Sequence, residues 1–161
     1  IGKTTICREA IALARAKGYE CGGVLTLARD DIREVCDVRS GDTRRLTQEL
    51  GMERAVIQGR FRFNPNTLRW GRRVLERSVP CDLLVVDELG PLEIERDQGW
   101  AGAFDLLRCG GFEMAVVVIR PELVAPAQSR LPDFATTILG ATLENRDRLP
   151  RRLIAMLERE T

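Results

Sequence analysis

Apolar positions along the chain first recur at helical spacing. Over residues 4–17, Ile6, Ala10, Ile11, Leu13 and Ala14 gather on one side of a helix, and Gly18 stands where a C-cap glycine would end it. The period then shortens. Residues 22–27 and 34–38 read as strands, and the polar stretch 28–33 between them predicts a hairpin. Ser40-Gly41-Asp42 marks the next turn. Residues 58–63 alternate, and Asn64-Pro65-Asn66 breaks the alternation before a helix expected over about 67–78.

Two runs, 81–86 and 114–119, are continuously apolar, the pattern of strands covered on both faces in a parallel sheet. The first runs straight into Asp87-Glu88. A helix expected over about 98–109 leads through Gly110-Gly111 to the second. A third buried strand is expected at 135–139, and a closing helix at 148–159. Strands alternating with helices predict an α/β three-layer sandwich with a mostly parallel sheet and a β-hairpin insertion after the first helix.

Composition narrows the picture. At 161 residues and 44% hydrophobic content the chain has the size of one domain, 1–161, since roughly 150 residues per domain is usual. Charged residues reach 30% but cancel to +1, which gives no electrostatic case for nucleic acid or an anionic membrane as partner. No apolar run approaches the roughly 20 residues that span a bilayer. The five cysteines, Cys7, Cys21, Cys36, Cys81 and Cys109, form no C-x-x-C pair and the chain has no histidine, so free thiols and a cytoplasmic location are expected. Lys3 and Lys17 are the only lysines beside many arginines, a bias that a GC-rich genome explains. In that setting, a lysine between Gly2 and Thr4 stands out.

Gly2-Lys3-Thr4 supplies the last three positions of the phosphate-binding loop G-x-x-x-x-G-K-[ST]. The first glycine would fall four residues before Ile1, so the domain is read as lacking its first strand and the start of that loop. The expected chemistry places phosphates on the backbone N–H groups of Gly2, Lys3, Thr4 and Thr5, the Lys3 ammonium on the outer phosphates and the Thr4 hydroxyl on Mg²⁺. An ordinary helix start capped by Thr4 or Thr5 is the plainer alternative. The apolar strand ending at Asp87-Glu88 tips the balance. Such a strand delivers Asp87 to the metal, and Glu88 can orient an attacking water. Glutamate directly after that aspartate favours hydrolysis over transfer to an organic acceptor. Arg120, at the end of a buried strand, is the first choice for charge stabilisation at the γ-phosphate, ahead of Arg146 and Arg60.

Three blocks resemble the THEP1-like nucleoside-triphosphatases, the human cancer-related NTPase type. They are Gly2-Lys3-Thr4-Thr5, the stretch Val85-Val86-Asp87-Glu88-Leu89-Gly90-Pro91-Leu92-Glu93, and Thr142-Leu143-Glu144-Asn145-Arg146-Asp147-Arg148-Leu149-Pro150. The resemblance implies a P-loop NTPase with a RecA-like core and Mg²⁺-dependent hydrolysis of several nucleoside triphosphates, ATP and GTP among them. Pro91, where the family commonly has lysine, and Ile119-Arg120-Pro121, without the histidine often seen before the arginine, depart from it. Asn145 and Arg146 follow the last expected strand, where they meet the base or ribose, the alternative being that Asn145 or Asp147 caps the final helix. A small-molecule kinase and a nucleotide-gated interaction module are the competing functions. Trp70 and Trp100 are read as packing residues, and Asp30-Asp31 as a solvated hairpin tip.

Overall fold

Gly2, in the left-handed conformation at φ 83°, turns the chain into α1 (Lys3–Ala16), which buries Ile6, Cys7, Ala10, Ile11 and Ala14 along one side. In the computed structural model, residues 2–48, 54–131 and 136–160 are described. Strands β1 (Cys21–Arg29) and β2 (Ile32–Asp37) pair antiparallel around the tip Asp30-Asp31, and β3 (Thr43–Arg45) extends the sheet from β2. The alternating run 58–63 does not continue as one strand. It folds back at Gly59, φ 56°, so that β4 (Val56–Gln58) and β5 (Phe61–Phe63) form a separate two-stranded hairpin.

Helix α2 (Pro65–Glu76) begins a little before the predicted start, because Asn64 caps it through Oδ1, which accepts from the Asn66 N–H, and Pro65 occupies the first turn. Strand β6 (Cys81–Leu89) is followed by α3 (Pro91–Ile94) and α4 (Ala103–Cys109). The latter is shorter than its apolar pattern suggests: Gly99 takes φ 58°, and residues 99–102 form turns that hold Trp100 in the core ahead of the helix. Strand β7 (Phe112–Ile119), a 3₁₀ turn (Pro121–Leu123), α5 (Val124–Gln128) and α6 (Leu149–Glu160) complete the described elements.

The sheet has the order β3-β2-β1-β6-β7, with β1, β6 and β7 parallel and β2 and β3 as an antiparallel edge. Alternation along β6 divides the core. Leu83 and Val85 pack with α1 and α6, while Leu84 and Val86 pack with α2 and α4, so two apolar layers sandwich the sheet. Gly23 is required where β1 meets β6: at φ 114°, an added Cβ would lie 1.8 Å from the Val85 carbonyl oxygen.

The third buried strand expected at 135–139 does not appear among the described residues. Residue 135 lies outside the described residues, 136–139 adopt no strand, and Ile138 is 56% exposed. An apolar cleft of about 620 Å³ lies between this segment and β7, and a backbone without a ladder to join does not become a strand. Trp70 and Trp100 are both buried, as a packing role requires.

Candidate nucleotide site

The parallel register of β1 and β6, with Val24 opposite Val86, brings Thr26 level with the end of β6 beneath the start of α1. The Thr26 hydroxyl donates to the Asp87 carbonyl oxygen at 2.7 Å, and the Thr4 hydroxyl donates to the Thr26 carbonyl at 3.4 Å. This relay ties the first turn of α1 to the carboxyl end of β6, the edge at which open α/β sheets take ligands. Thr26 carries no motif of its own. Only strand pairing shows its place.

Asp87 is 2% exposed, and its Oδ2 has no hydrogen-bond partner among the described residues. Burial pushes its carboxyl up to about 6; the Glu88 charge adds to the rise, while the Thr4 hydroxyl and the Lys3 charge draw it back. A buried carboxylate oxygen with no partner costs free energy unless something positive meets it. Together with the adjacent Thr4 hydroxyl, it offers two hard oxygen donors of the kind Mg²⁺ takes when phosphates and water complete its shell. Among the described residues no cluster of three or more acidic, histidine or cysteine side chains could hold a metal unaided. The donor set therefore fits a cation that arrives with nucleotide.

Glu88 follows through a cis peptide and is stepped over by the β6–β7 ladder, which passes from Asp87↔Val118 to Leu89↔Ile119. Its side chain is half-buried, and Oε1 accepts from Arg120 Nη2 at 3.1 Å. The turn after it is braced by Glu93, buried at 5% exposure. Glu93 Oε2 accepts from the Gly90 N–H at 2.9 Å, and Oε1 from the Trp100 N–H at 3.2 Å. Burial raises the Glu93 carboxyl above its ordinary range, against the pull of those backbone donors.

Thr4, Asp87, Glu88 and Arg120 thus line one cavity. Lys3 is half-buried and its charge is felt at Asp87, whereas the Thr5 side chain is exposed on the same turn. Arg146 lies beside Gly2, its Cδ 3.7 Å from where a Cβ on that glycine would stand. Asn145 works inside its own loop: Oδ1 accepts from the Thr142 N–H, and Nδ2 donates to the Gly140 carbonyl, both within 2.9 Å. The same cavity also gathers Arg33, Gln58, Phe61, Phe63 and Trp100, none of which sequence reasoning placed near the site. Their alternation marked strand and helix faces, and only tertiary packing turns those faces toward Glu88.

A nucleotide-binding α/β protein with a P-loop helix start and an acidic pair on the neighbouring strand is the class these features define. A family model described as NTPase matches residues 1–154, and the chain belongs to that family. A nucleoside-triphosphatase THEP1 of Methanopyrus kandleri is 29% identical over 170 residues, covering 96% of this chain and 88% of the relative. One of Methanosarcina barkeri is 26% identical over 160 residues, covering 95% and 89%. The crystal structure of THEP1 from Aquifex aeolicus shares the fold at TM-score 0.67 and 19% identity, over 98% of this chain and 94% of that one. The THEP1-like resemblance and the P-loop α/β fold both hold.

Proposed function

We propose that this member of the NTPase family hydrolyses nucleoside triphosphates, ATP and GTP among them, to diphosphate and phosphate with Mg²⁺ held between Thr4 and Asp87. The single observation that carries the metal assignment is the buried, unpartnered Asp87 Oδ2 beside the Thr4 hydroxyl. When bound, Mg²⁺ neutralises charge on the β- and γ-phosphates. The backbone N–H groups of Gly2, Lys3, Thr4 and Thr5 face the phosphates at the positive end of α1, and the Lys3 ammonium meets the outer phosphates. Glu88 orients a water whose oxygen attacks the γ-phosphorus as the bond to the β–γ bridging oxygen breaks. Arg120, paired with Glu88 in this structure, supplies positive charge to the transferring phosphoryl group.

Arg146 beside Gly2 faces the base and ribose end. Asn145 belongs to the same end, and because its amide is engaged within the 140–145 loop, the contact to the base is loose and several bases are accepted. The five free thiols favour the reducing cytoplasm, and burial pushes Cys7 up to about 12 and Cys81 up to about 11, which keeps both unreactive. We also propose that residues 1–161 are one P-loop domain.

Phosphate release from ATP, GTP, CTP and UTP with Mg²⁺ tests the assignment. Lys3→Ala and Glu88→Gln should each lower kcat about 10²-fold or more. Turnover unchanged in both variants would refute the mechanism.

A further inference from the structure

Asp87 and Glu88 are joined by one planar peptide group, so the carboxylate assigned to the metal and the one assigned to the water cannot be aimed independently. Turning that peptide swings both side chains. Strand pairing thins out at this point. The β1–β6 register runs from Cys21↔Leu83 to Val24↔Val86 and ends one residue short of Asp87, and the β6–β7 register passes over Glu88. On the β1 side a side chain meets the Asp87 carbonyl instead: the Thr26 hydroxyl donates to it at 2.7 Å.

Thr26 reaches the other side of the site through its backbone. Its carbonyl accepts from the Thr4 hydroxyl at 3.4 Å. A hydroxyl that lends a lone pair to a cation must send its proton to another acceptor, and the Thr26 carbonyl is placed to take that proton. The lone pairs of the Thr4 oxygen are then left for a cation shared with the unpartnered Asp87 Oδ2. The Thr26 N–H acts on the same carboxyl, countering part of the rise that burial imposes on it. Thr26 is half-buried and lines one cavity with Thr4, Asp87 and Glu88.

These bonds add little to the hold on the strand itself. Strand β6 is paired along both edges, between β1 and β7, and Leu83 to Val86 are buried in the two apolar layers. One neutral hydrogen bond past the end of a ladder contributes modestly beside that. A valine would suit a strand position as well as threonine does. What the hydroxyl adds is the direction of a single peptide, the one that carries both acids.

We infer that Thr26 is a positioning residue for hydrolysis: its hydroxyl sets the Asp87–Glu88 peptide so that Asp87 meets the metal while Glu88 meets the water, and its carbonyl orients the Thr4 hydroxyl toward the same metal. The inference rests on the nucleotide reading of Thr4, Asp87 and Glu88. Thr26 acts through these neighbours. Loss of its hydroxyl therefore weakens the metal-dependent part of nucleotide binding and slows the chemical step, while the phosphate affinity supplied by Lys3 and the backbone N–H groups of α1 is kept.

The test compares the full chain with Thr26→Val, which removes the hydroxyl and keeps the branched shape, and with Thr26→Ser, which keeps the hydroxyl. Phosphate release from MgATP gives kcat and KM. Titration calorimetry with a non-hydrolysable ATP analogue, once with Mg²⁺ and once with EDTA, gives affinity with and without metal. Thr26→Val should lower kcat about ten-fold, the scale of one hydrogen bond missing at the transition state. The gain in analogue affinity on adding Mg²⁺ should fall about five-fold, with the metal-free affinity held within about two-fold. Thr26→Ser should recover kcat to within about three-fold of the unaltered chain. A Thr26→Val turnover within about two-fold of the unaltered chain would overturn the inference, as would Thr26→Ser as slow as Thr26→Val, or metal-free and metal-bound affinities that drop by the same factor. Lys3→Ala separates the two readings. Phosphate release and analogue binding untouched by Lys3→Ala would remove the nucleotide site and this inference with it; loss of both in Lys3→Ala beside an indifferent Thr26→Val would leave the nucleotide site standing and remove Thr26 from it.

Discussion

Asp87 sets the chain's stability against its chemistry. Its carboxyl moves from 3.8 to about 6 on folding, chiefly through burial, so the folded state holds this proton more tightly than the unfolded chain does. The associated stability is complete below the unfolded value, and it is lost as pH rises through the folded one. Asp87→Asn places a neutral amide in the same space and should stabilise the metal-free protein by about 3 kcal/mol at pH 8. The gain should shrink below pH 6 and vanish below pH 4, as read from urea midpoints at the three pH values. A constant gain across that range would show that Asp87 is not held protonated by burial. Lys3, Thr4, Asp87 and Glu88 were legible in the sequence because each sits in a short motif whose chemistry demands that residue type. Thr26 and Glu93 were not, because one acts through strand register and the other through a turn closed by Trp100 from seven residues on.

Elements meet around Ser78, at the end of α2. Its hydroxyl, 1% exposed as a residue, donates to the Val74 carbonyl at 2.7 Å and accepts from the Gly23 N–H at 2.8 Å. It joins α2 to the strand on which Thr26 is carried. Ser78→Ala would leave the Gly23 N–H buried without that partner, at a cost of about 1–3 kcal/mol. Chemical denaturation should show this as a lower midpoint with an unchanged slope. A loss under 0.5 kcal/mol, on the order of a surface substitution, would mean the joint is dispensable. Arg77 reinforces the corner by pairing with the buried Asp37 at 2.8 Å; although burial alone would raise that carboxyl, its hydrogen bonds with Arg77, Arg39 and Ser40 leave it below the ordinary range. Helices α1, α2 and α6 and strand β6 could be located from their pattern because each buries a whole side or both faces, and β7 from its continuous apolar run. The run expected at 135–139 has the same local pattern, but its described residues, 136–139, join no ladder, and pattern does not reveal a missing neighbour.

At the scale of the molecule, the described residues fill the two faces of the sheet but leave its β7 edge without a neighbouring strand. Residues of β6 are mostly buried, whereas most of β7 is only half-buried, although the two strands lie side by side. The difference comes from the apolar cleft of about 620 Å³, walled by Met114, Val116 and Val118 of β7 and by Ile6, Leu139 and Leu153 opposite. A parallel strand placed there would hydrogen-bond the open edge of β7 and fill the cleft with apolar side chains. Its carboxyl end would run toward α1, as a strand leading into a P-loop must. Two buried Val, Leu or Ile side chains would add roughly 3–6 kcal/mol. In a chain of this size that corresponds to a rise in Tm of about 6–24 °C. Fusing an apolar strand and a glycine-led loop ahead of Ile1 should therefore raise Tm within that range, lower the fluorescence of a bound apolar dye and increase phosphate release together. If Tm and dye binding stay the same while phosphate release rises, the added residues complete the loop without occupying the cleft, and the assignment of a strand to the β7 edge fails.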